Sequence, residues 1–147
     1  VELQDGSLML NMRDNRNKGN EVVNGRSVFV TDDLGETWTE HPTSRKALIE
    51  PTCMGSLHKH HYTVNGEEKS LLLFVNPASA TRRNNITLKV SYDEGNSWPE
   101  EKAILLDAYS GRGYSCITSV NDSTIGILYE SSQADMVFQT VQLEEIR

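Results

Sequence analysis

The sequence predicts an all-β fold of the propeller type, and three observations support this prediction. Short stretches rich in β-branched and aromatic residues recur along the 147-residue chain, each bounded by turn residues. No stretch keeps the i, i+3, i+4 spacing of apolar residues that an amphipathic helix needs. A turn of the same composition occurs twice, in TDDLGETW (31–38) and SYDEGNSW (91–98). Such repetition favours a propeller over a sandwich or a barrel, because propellers are built from repeated four-stranded blades.

Nine stretches are predicted to be strands. They are residues 7–12, 26–31, 55–64, 70–75, 86–91, 103–106, 114–120, 124–130 and 136–143. Tight turns are predicted at Asp5-Gly6, Asn24-Gly25, Asn65-Gly66 and Asn121-Asp122. Because a blade takes about 40–50 residues, the chain is predicted to supply about three blades. Propellers need roughly 4–8 blades, so we expect residues 1–147 to be the C-terminal part of one propeller domain, truncated at its N-terminal side.

Each copy of the repeated turn has the same four residues. A hydroxyl residue ends a strand, an aspartate follows two positions later, then a glycine and finally a tryptophan. The residues are Thr31, Asp33, Gly35 and Trp38 in the first copy and Ser91, Asp93, Gly95 and Trp98 in the second. The aspartate can accept backbone N–H groups, the glycine supplies a positive φ, and the tryptophan is expected to bury its ring over the turn. This unit is predicted to be structural, a clip between strands.

Composition narrows the possible partners. The net charge of −7 and the pI near 5.0 argue against nucleic acid as the main partner, because phosphate binding needs a basic surface. A small anionic ligand remains compatible, since a few arginines in a pocket can dominate the local field. The sequence has no apolar run of roughly 18 residues or more, which argues against a membrane-spanning helix.

The cysteines and histidines do not have the spacing of a metal site. Cys53 and Cys116 lie in apolar stretches, which predicts buried free thiols rather than a disulfide, although their pairing is left open. His58 and His60 are predicted to share one face of a strand and His61 the other. Polar strand residues are the favoured interpretation of this group, and a metal site is the disfavoured alternative.

The pattern S/T-x-D-x-G-x-x-W resembles the Asp box, which recurs in the blades of sialidases and of some non-enzymatic propellers. Nearly the whole chain resembles the C-terminal half of the catalytic domain of bacterial-type exo-α-sialidases. The resemblance implies a six-bladed β-propeller with Asp-box repeats, and a complete enzyme that hydrolyses terminal sialic acid from glycoconjugates with retention. The implied partners are sialylated glycans and the remaining blades. It implies no cofactor, and a secreted, periplasmic or cell-surface location.

Four residues match positions of the sialidase site. The stretch VELQDGSLMLNMRDN resembles the one that ends in the second carboxylate-binding arginine, here Arg13. The stretch NPASATRRNNITLKVS resembles the one that carries the third, here Arg83, with Arg82 as a competing neighbour. GRGYSCITSV resembles the stretch with the tyrosine nucleophile, here Tyr114. GILYE resembles the strand whose glutamate orients the first arginine, here Glu130.

These residue types suit the implied chemistry. A guanidinium is always charged and binds a carboxylate through two hydrogen bonds. A neutral phenol avoids the repulsion that a carboxylate nucleophile would meet beside the substrate carboxylate, and sialidases are known to use tyrosine. The alternative for each arginine is a solvated surface charge, for Tyr114 a core tyrosine, and for Glu130 a strand end in water. The stretch EPTC (50–53) is a further candidate for lining the pocket.

Three parts of the family's site have no match in this chain. They are the first arginine, the glutamate partner of the tyrosine and the aspartate that serves as general acid/base. The isolated chain is therefore expected to be incomplete and inactive. The alternative function is a non-catalytic Asp-box propeller that binds glycan or protein. The joint presence of Arg13, Arg83, Tyr114 and Glu130 favours the enzyme over this alternative.

Overall fold

The structure, a computed structural model, describes residues 1–17 and 25–147, and this part of the chain is all-β. Ten strands form in it: β1 (Leu8–Met12), β2 (Ser27–Thr31), β3 (Thr39–Glu40), β4 (Ser56–Val64), β5 (Glu67–Pro77), β6 (Ile86–Ser91), β7 (Ile104–Asp107), β8 (Ser115–Asn121), β9 (Thr124–Tyr129) and β10 (Val137–Gln142). Short 3₁₀ turns span Asn15–Asn17, Glu100–Lys102 and Leu143–Glu145. The nine predicted strands are confirmed, and the two-residue strand β3 was not predicted. No helix within the described ranges is long and apolar enough to cross a membrane.

The strands form three antiparallel sheets, in the orders β1-β2-β3, β4-β5-β6-β7 and β10-β9-β8. Two-residue turns connect β4 to β5 and β8 to β9. Asn65 and Gly66 have φ angles of 54° and 82° between β4 and β5, which only glycine and asparagine adopt readily. The turn between β8 and β9 lies at residues 122 and 123, one position later than predicted. Asn24, in the turn predicted at residues 24 and 25, lies outside the described residues.

The first three residues extend the first sheet. The backbone N–H of Met9 donates to the carbonyl of Val1 at 2.8 Å, and that of Leu3 donates to the carbonyl of Ser7 at 2.8 Å. The chain reverses between them at the predicted turn, where Gly6 has a φ of 85°. Residues 1–3 therefore lie along one edge of β1, and β2 lies along the other.

The main core lies between the second and third sheets. Alternate side chains of β5 and β6 pack there against side chains of β8, β9 and β10, as the two-residue period of a strand requires. The buried residues of this core include Leu71, Leu73, Val75, Leu88, Val90, Ile117, Ile125, Ile127, Tyr129 and Val141. These are the apolar positions from which the strands were predicted.

Strand β5 is buried on both faces. Leu72 and Phe74 are 0% exposed and point away from the main core. Leu72 packs with Met9 and Val28 of the first sheet, and the ring of Phe74 meets that of Trp98 edge-on at 6.2 Å. The second sheet therefore lies between the other two, which explains why β5 is a continuous apolar run rather than an alternating one.

The two repeated turns are closed by the same hydrogen bonds. In the second copy the Ser91 hydroxyl donates to Asp93 Oδ1 at 2.8 Å and accepts the Gly95 backbone N–H at 2.8 Å. Ser97 donates its backbone N–H to Asp93 Oδ1 at 2.8 Å and its hydroxyl to Oδ2 at 2.6 Å. The first copy repeats all four bonds with its corresponding residues. The hydroxyl residue four positions after each aspartate was not part of the predicted pattern.

The tryptophans of the two turns differ in burial. Trp98 packs against the small core around Met9, as predicted. Trp38 covers its turn, donating its indole N–H to the Gly35 carbonyl at 3.1 Å, but its ring is 42% exposed. The prediction of a buried ring was therefore wrong for Trp38. Only the second turn lies at a junction between two sheets within the described chain.

The two cysteines are free, but only Cys53 is buried. Cys116 is exposed because the next residue, Ile117, occupies the core side of β8. In the strand register Cys116 lies opposite Leu128, which lies opposite Phe138, so the three form one apolar row on the outer face of the third sheet. The prediction that both thiols are buried was therefore wrong for Cys116.

We predict that Gly95→Ala destabilises the fold more than Gly66→Ala. Both glycines have a positive φ, 87° and 82°, so both substitutions incur a backbone cost of about 1–2 kcal/mol. A Cβ on Gly66 meets nothing within 4 Å, whereas one on Gly95 lies 3.0 Å from the Met9 methyl. Urea denaturation measures the difference in unfolding free energy between the two variants, provided that their m-values are equal. Equal losses of unfolding free energy would contradict this account of the Gly95 contact.

Candidate functional site

Arg83 and Tyr114 lie side by side. The guanidinium carbon of Arg83 is 5.5 Å from the centre of the Tyr114 ring, a cation–π distance. Arg83 Nη1 donates to the carbonyl of Arg112 at 3.0 Å, and the Gly111 backbone N–H donates to the carbonyl of Arg83 at 2.9 Å. The loop before β6 is thus tied to the loop before β8. Of the two adjacent candidates, Arg83 rather than Arg82 has its side chain at Tyr114.

Gly113 allows this close approach. It is buried and has a φ of 87°. A Cβ at this position would lie 2.8 Å from Pro77 Cγ, 3.4 Å from Arg83 Cβ and 3.5 Å from Cys53 Sγ. Any side chain would therefore push the Tyr114 loop away from Arg83.

Glu130 holds the backbone of Tyr114. Glu130 Oε2 accepts the Tyr114 backbone N–H at 3.1 Å, and the backbone N–H of Glu130 donates to the Tyr114 carbonyl at 2.9 Å. The Glu130 residue follows β9, whereas Tyr114 precedes β8, so adjacent strands bring them together. Its other oxygen has no hydrogen bond within the described residues. The role of Glu130 in orienting a first arginine stays a prediction, and its contact with Tyr114 was not predicted.

Arg13 is an exposed residue that directly follows β1, and no contact joins its side chain to Tyr114 within the described residues. Burial raises the pKa of the Cys53 thiol, while the charges of Arg83 and Arg13 act in the opposite direction. Within the described ranges neither Arg13 nor Arg83 forms an ion pair with a carboxylate. Neither charge is neutralised by a carboxylate in this part of the chain, so each is available to an anionic ligand, although the net charge of the chain is −7.

A buried ion pair contacts the backbone next to Arg13, and the sequence did not predict it. Arg26 Nη1 donates to Glu50 Oε2 at 2.8 Å, and the two side chains are 3% and 0% exposed. Burial lowers the pKa of Arg26, and the charge of Glu50 opposes this shift. The sequence predicts only the start of a strand at Arg26 and a residue lining the pocket at Glu50. Their separation of 24 positions offers no local signal of pairing.

Two buried polar atoms next to this site have no hydrogen bond in the described part of the chain. They are Thr52 Oγ1 and Asn84 Oδ1, which belong to the neighbours of Cys53 and Arg83. Thr52 also has a φ of 56°, a strained conformation for a β-branched residue. Unsatisfied polar atoms and backbone strain of this kind are enriched at functional sites.

The histidines form a contact between the second and third sheets. His58 Nε2 and His60 Nδ1 each lie 2.8 Å from the Ser119 hydroxyl, so the predicted shared face is confirmed. His60 Nε2 lies 3.1 Å from the carbonyl of Asp122. His61 lies 3.3 Å from Glu68 at the surface. The described residues contain no group of three or more His, Cys, Asp or Glu side chains that could hold a metal ion.

Comparison with known proteins identifies the family. Residues 1–127 match the BNR repeat-like domain, so the chain belongs to the BNR repeat-like domain family. A sialidase of Bacteroides fragilis (strain YCH46) is 49% identical over 146 residues, 99% of this chain and 26% of that protein. A sialidase of Micromonospora viridifaciens is 34% identical over 132 residues, 88% of this chain and 19% of that protein. The chain thus spans about a fifth to a quarter of these relatives.

Solved structures of sialidases have the same fold. The Hadza microbial sialidase Hz136 is 47% identical, with a TM-score of 0.85 over 97% of this chain and 26% of that one. The leech intramolecular trans-sialidase has a TM-score of 0.74 over 99% of this chain and 23% of that one. At 22% identity this second likeness concerns the fold alone. The recognised sialidase resemblance is therefore confirmed.

We predict that Glu130→Ala speeds hydrogen exchange at the Tyr114 amide by roughly tenfold, because the amide loses its charged acceptor. Glu130→Gln keeps an acceptor oxygen at the same reach and should retain most of the protection. Exchange measured by NMR or mass spectrometry tests both variants. Unchanged exchange in Glu130→Ala would mean that this hydrogen bond does not hold the Tyr114 loop.

Proposed function

We propose that this chain is the C-terminal part of an exo-sialidase that releases terminal sialic acid from glycoconjugates. The observation that carries the proposal is the Arg83 guanidinium over the Tyr114 ring, with Glu130 holding the Tyr114 backbone. Arg13, the other arginine matched to the family's site, directly follows β1. Both arginines lack acidic partners in the described residues, so their charges are available to a carboxylate. The sialidase relatives support this substrate class.

In this proposal Arg13 and Arg83 bind the carboxylate on the anomeric carbon of the sugar. The Tyr114 oxygen then attacks that carbon, the glycosidic C–O bond breaks, and the phenol proton passes to a base. Water cleaves the resulting C–O bond to Tyr114, which gives net retention. An ordinary phenol has a pKa of about 10, so attack near neutrality needs that base. The base, the general acid and the first arginine would come from other parts of the longer protein.

We further propose that the three sheets are about half of a six-bladed ring. The outer face of the third sheet exposes Cys116, Leu128 and Phe138, and the outer face of the first sheet exposes Leu10 and Met12. An apolar row on each terminal sheet is suited to pack against further blades, as the second sheet packs on its neighbours. A location outside the cytoplasm remains a prediction from the family resemblance.

We predict that Tyr114→Phe lowers kcat for a fluorogenic sialoside by roughly 10³-fold or more in the full-length protein, because it removes the attacking oxygen. The ring and its contact with Arg83 remain, so the melting temperature should change little. Tyr109→Phe is the matched control, since that ring is 69% exposed. Unchanged turnover in Tyr114→Phe would exclude Tyr114 as the nucleophile.

We predict that Arg83→Ala raises KM for the same sialoside by roughly tenfold or more, because a bond to the charged carboxylate is lost. Arg82→Ala is the neighbouring control and should stay within about twofold of the wild type, since the Arg82 side chain forms no hydrogen bond or ion pair among the described residues. The reverse ranking would assign the site to Arg82.

The same experiments distinguish the alternative, a non-catalytic propeller that binds glycan. Such a protein would bind a sialoside in calorimetry without turning it over, and Tyr114→Phe would leave the affinity unchanged. Loss of binding in Arg83→Ala without any wild-type turnover would support that alternative over the enzyme.

A further inference from the structure

The buried ion pair between Arg26 and Glu50 joins two loops that reach the candidate site. The carboxylate of Glu50 uses both of its oxygens. Oε2 accepts from Arg26 Nη1 at 2.8 Å, while Oε1 accepts the backbone N–H of Asp14 at 2.8 Å. That N–H belongs to the peptide unit directly after Arg13. Glu50 therefore fixes the backbone from which the Arg13 side chain projects.

The guanidinium of Arg26 extends this connection on the other side. Its Nη1 also donates to the carbonyl of Cys53 at 2.6 Å, which closes the loop around Thr52 and its φ of 56°. Its Nε donates to the side chain of Asn11 at 2.6 Å, and its Nη2 donates to the Asn11 carbonyl at 3.1 Å. The same cation thus holds the end of β1 and the loop that places the Cys53 sulfur under Gly113.

The Asp14 side chain attaches the segment after Arg13 at a second point. Asp14 Oδ2 accepts from Arg45 Nε at 2.8 Å and from Arg16 Nη2 at 2.8 Å. The backbone of Arg45 in turn donates to the Arg26 carbonyl at 2.7 Å. The residue after Arg13 is therefore held through both its backbone and its side chain, whereas the Arg13 side chain itself forms no ion pair among the described residues.

We propose that Arg26 and Glu50 are positioning residues for the carboxylate site, acting through Arg13. This inference rests on the proposed function. Buried ion pairs add little net stability, because desolvation offsets their attraction, but they specify geometry when every hydrogen bond is satisfied. The two side chains form five hydrogen bonds of 2.6–3.1 Å, which connect the end of β1, the Asp14 backbone and the loop at Cys53. A fixed Arg13 would meet the substrate carboxylate without first losing rotational freedom.

The test is a double-mutant cycle in the full-length enzyme, with Glu50→Gln, Arg13→Ala and the double variant. Gln has the size of Glu, but only one of its two terminal atoms accepts a hydrogen bond. The Arg26 cation attracts that oxygen, so the Asp14 backbone N–H loses its acceptor in Glu50→Gln. We expect Glu50→Gln alone to raise KM for a sialoside about tenfold with little change in kcat. With Arg13 already replaced by Ala, the same change should alter KM less than about twofold, because its effect passes through Arg13.

A purely structural role predicts a different result. The fold-changes in KM caused by the two substitutions would then multiply in the double variant, and that outcome would overturn the inference. Val141→Ala is the control for lost stability, since Val141 is 2% exposed in the distant part of β10 and should lower the melting temperature without changing KM. If Glu50→Gln does not fold, Glu50→Asp takes its place in the cycle, because it keeps the charge but shortens the reach to Asp14.

The wild-type protein separates this inference from the proposed function. Wild-type turnover combined with independent effects of Glu50 and Arg13 would contradict the positioning role alone. Absence of turnover would contradict the proposed function. In that case hydrogen exchange at the Asp14 amide still tests the positioning role: Glu50→Gln should speed it roughly tenfold relative to Val141→Ala, and equal exchange would overturn the inference.

Discussion

The ion pair between Arg26 and Glu50 is the contact on which the arrangement of the site depends. Removing two charges from water is costly, and their attraction alone seldom compensates that cost. Here the remaining hydrogen-bonding capacity is used on Asn11, Asp14 and Cys53, so the pair is satisfied as well as neutralised. The Arg26 guanidinium also lies over the Phe74 ring at 5.5 Å. One polar contact thereby connects the first sheet, the centre of the second and two loops of the site.

The repeated turns contribute to this structure in a different way, because each is closed by its own residues. In the first copy, hydrogen bonds from Thr31 and Thr37 lower the pKa of Asp33 well below its usual value, which keeps the carboxylate ionised as an acceptor. The bonds of each turn span at most four positions, so the turn forms without help from distant residues. Each turn therefore holds its two neighbouring strands in register. It does so without using the loops that carry Arg83 and Tyr114.

The electrostatics of the site oppose those of the whole chain. The chain has 21 acidic and 14 basic residues, yet the guanidiniums of Arg13 and Arg83 have no carboxylate partner in the described ranges. Screening limits exposed charges to a range of about 8–10 Å, so the distant acidic residues do little to cancel this local field. A negative overall charge and a site for an anion are therefore compatible in one protein.

Local features of this protein were determined by its sequence alone. Strand positions, the Asn65-Gly66 turn and both copies of the repeated turn depend on residues within a few positions of one another, so they were predicted correctly. The family resemblance also selected the residues that meet at Tyr114. Only the tertiary structure decided the pairing of Arg26 with Glu50, the contact of Glu130 with Tyr114, and the exposure of Trp38 and Cys116. Each of these depends on which sheet or loop covers a residue, and that is a long-range property.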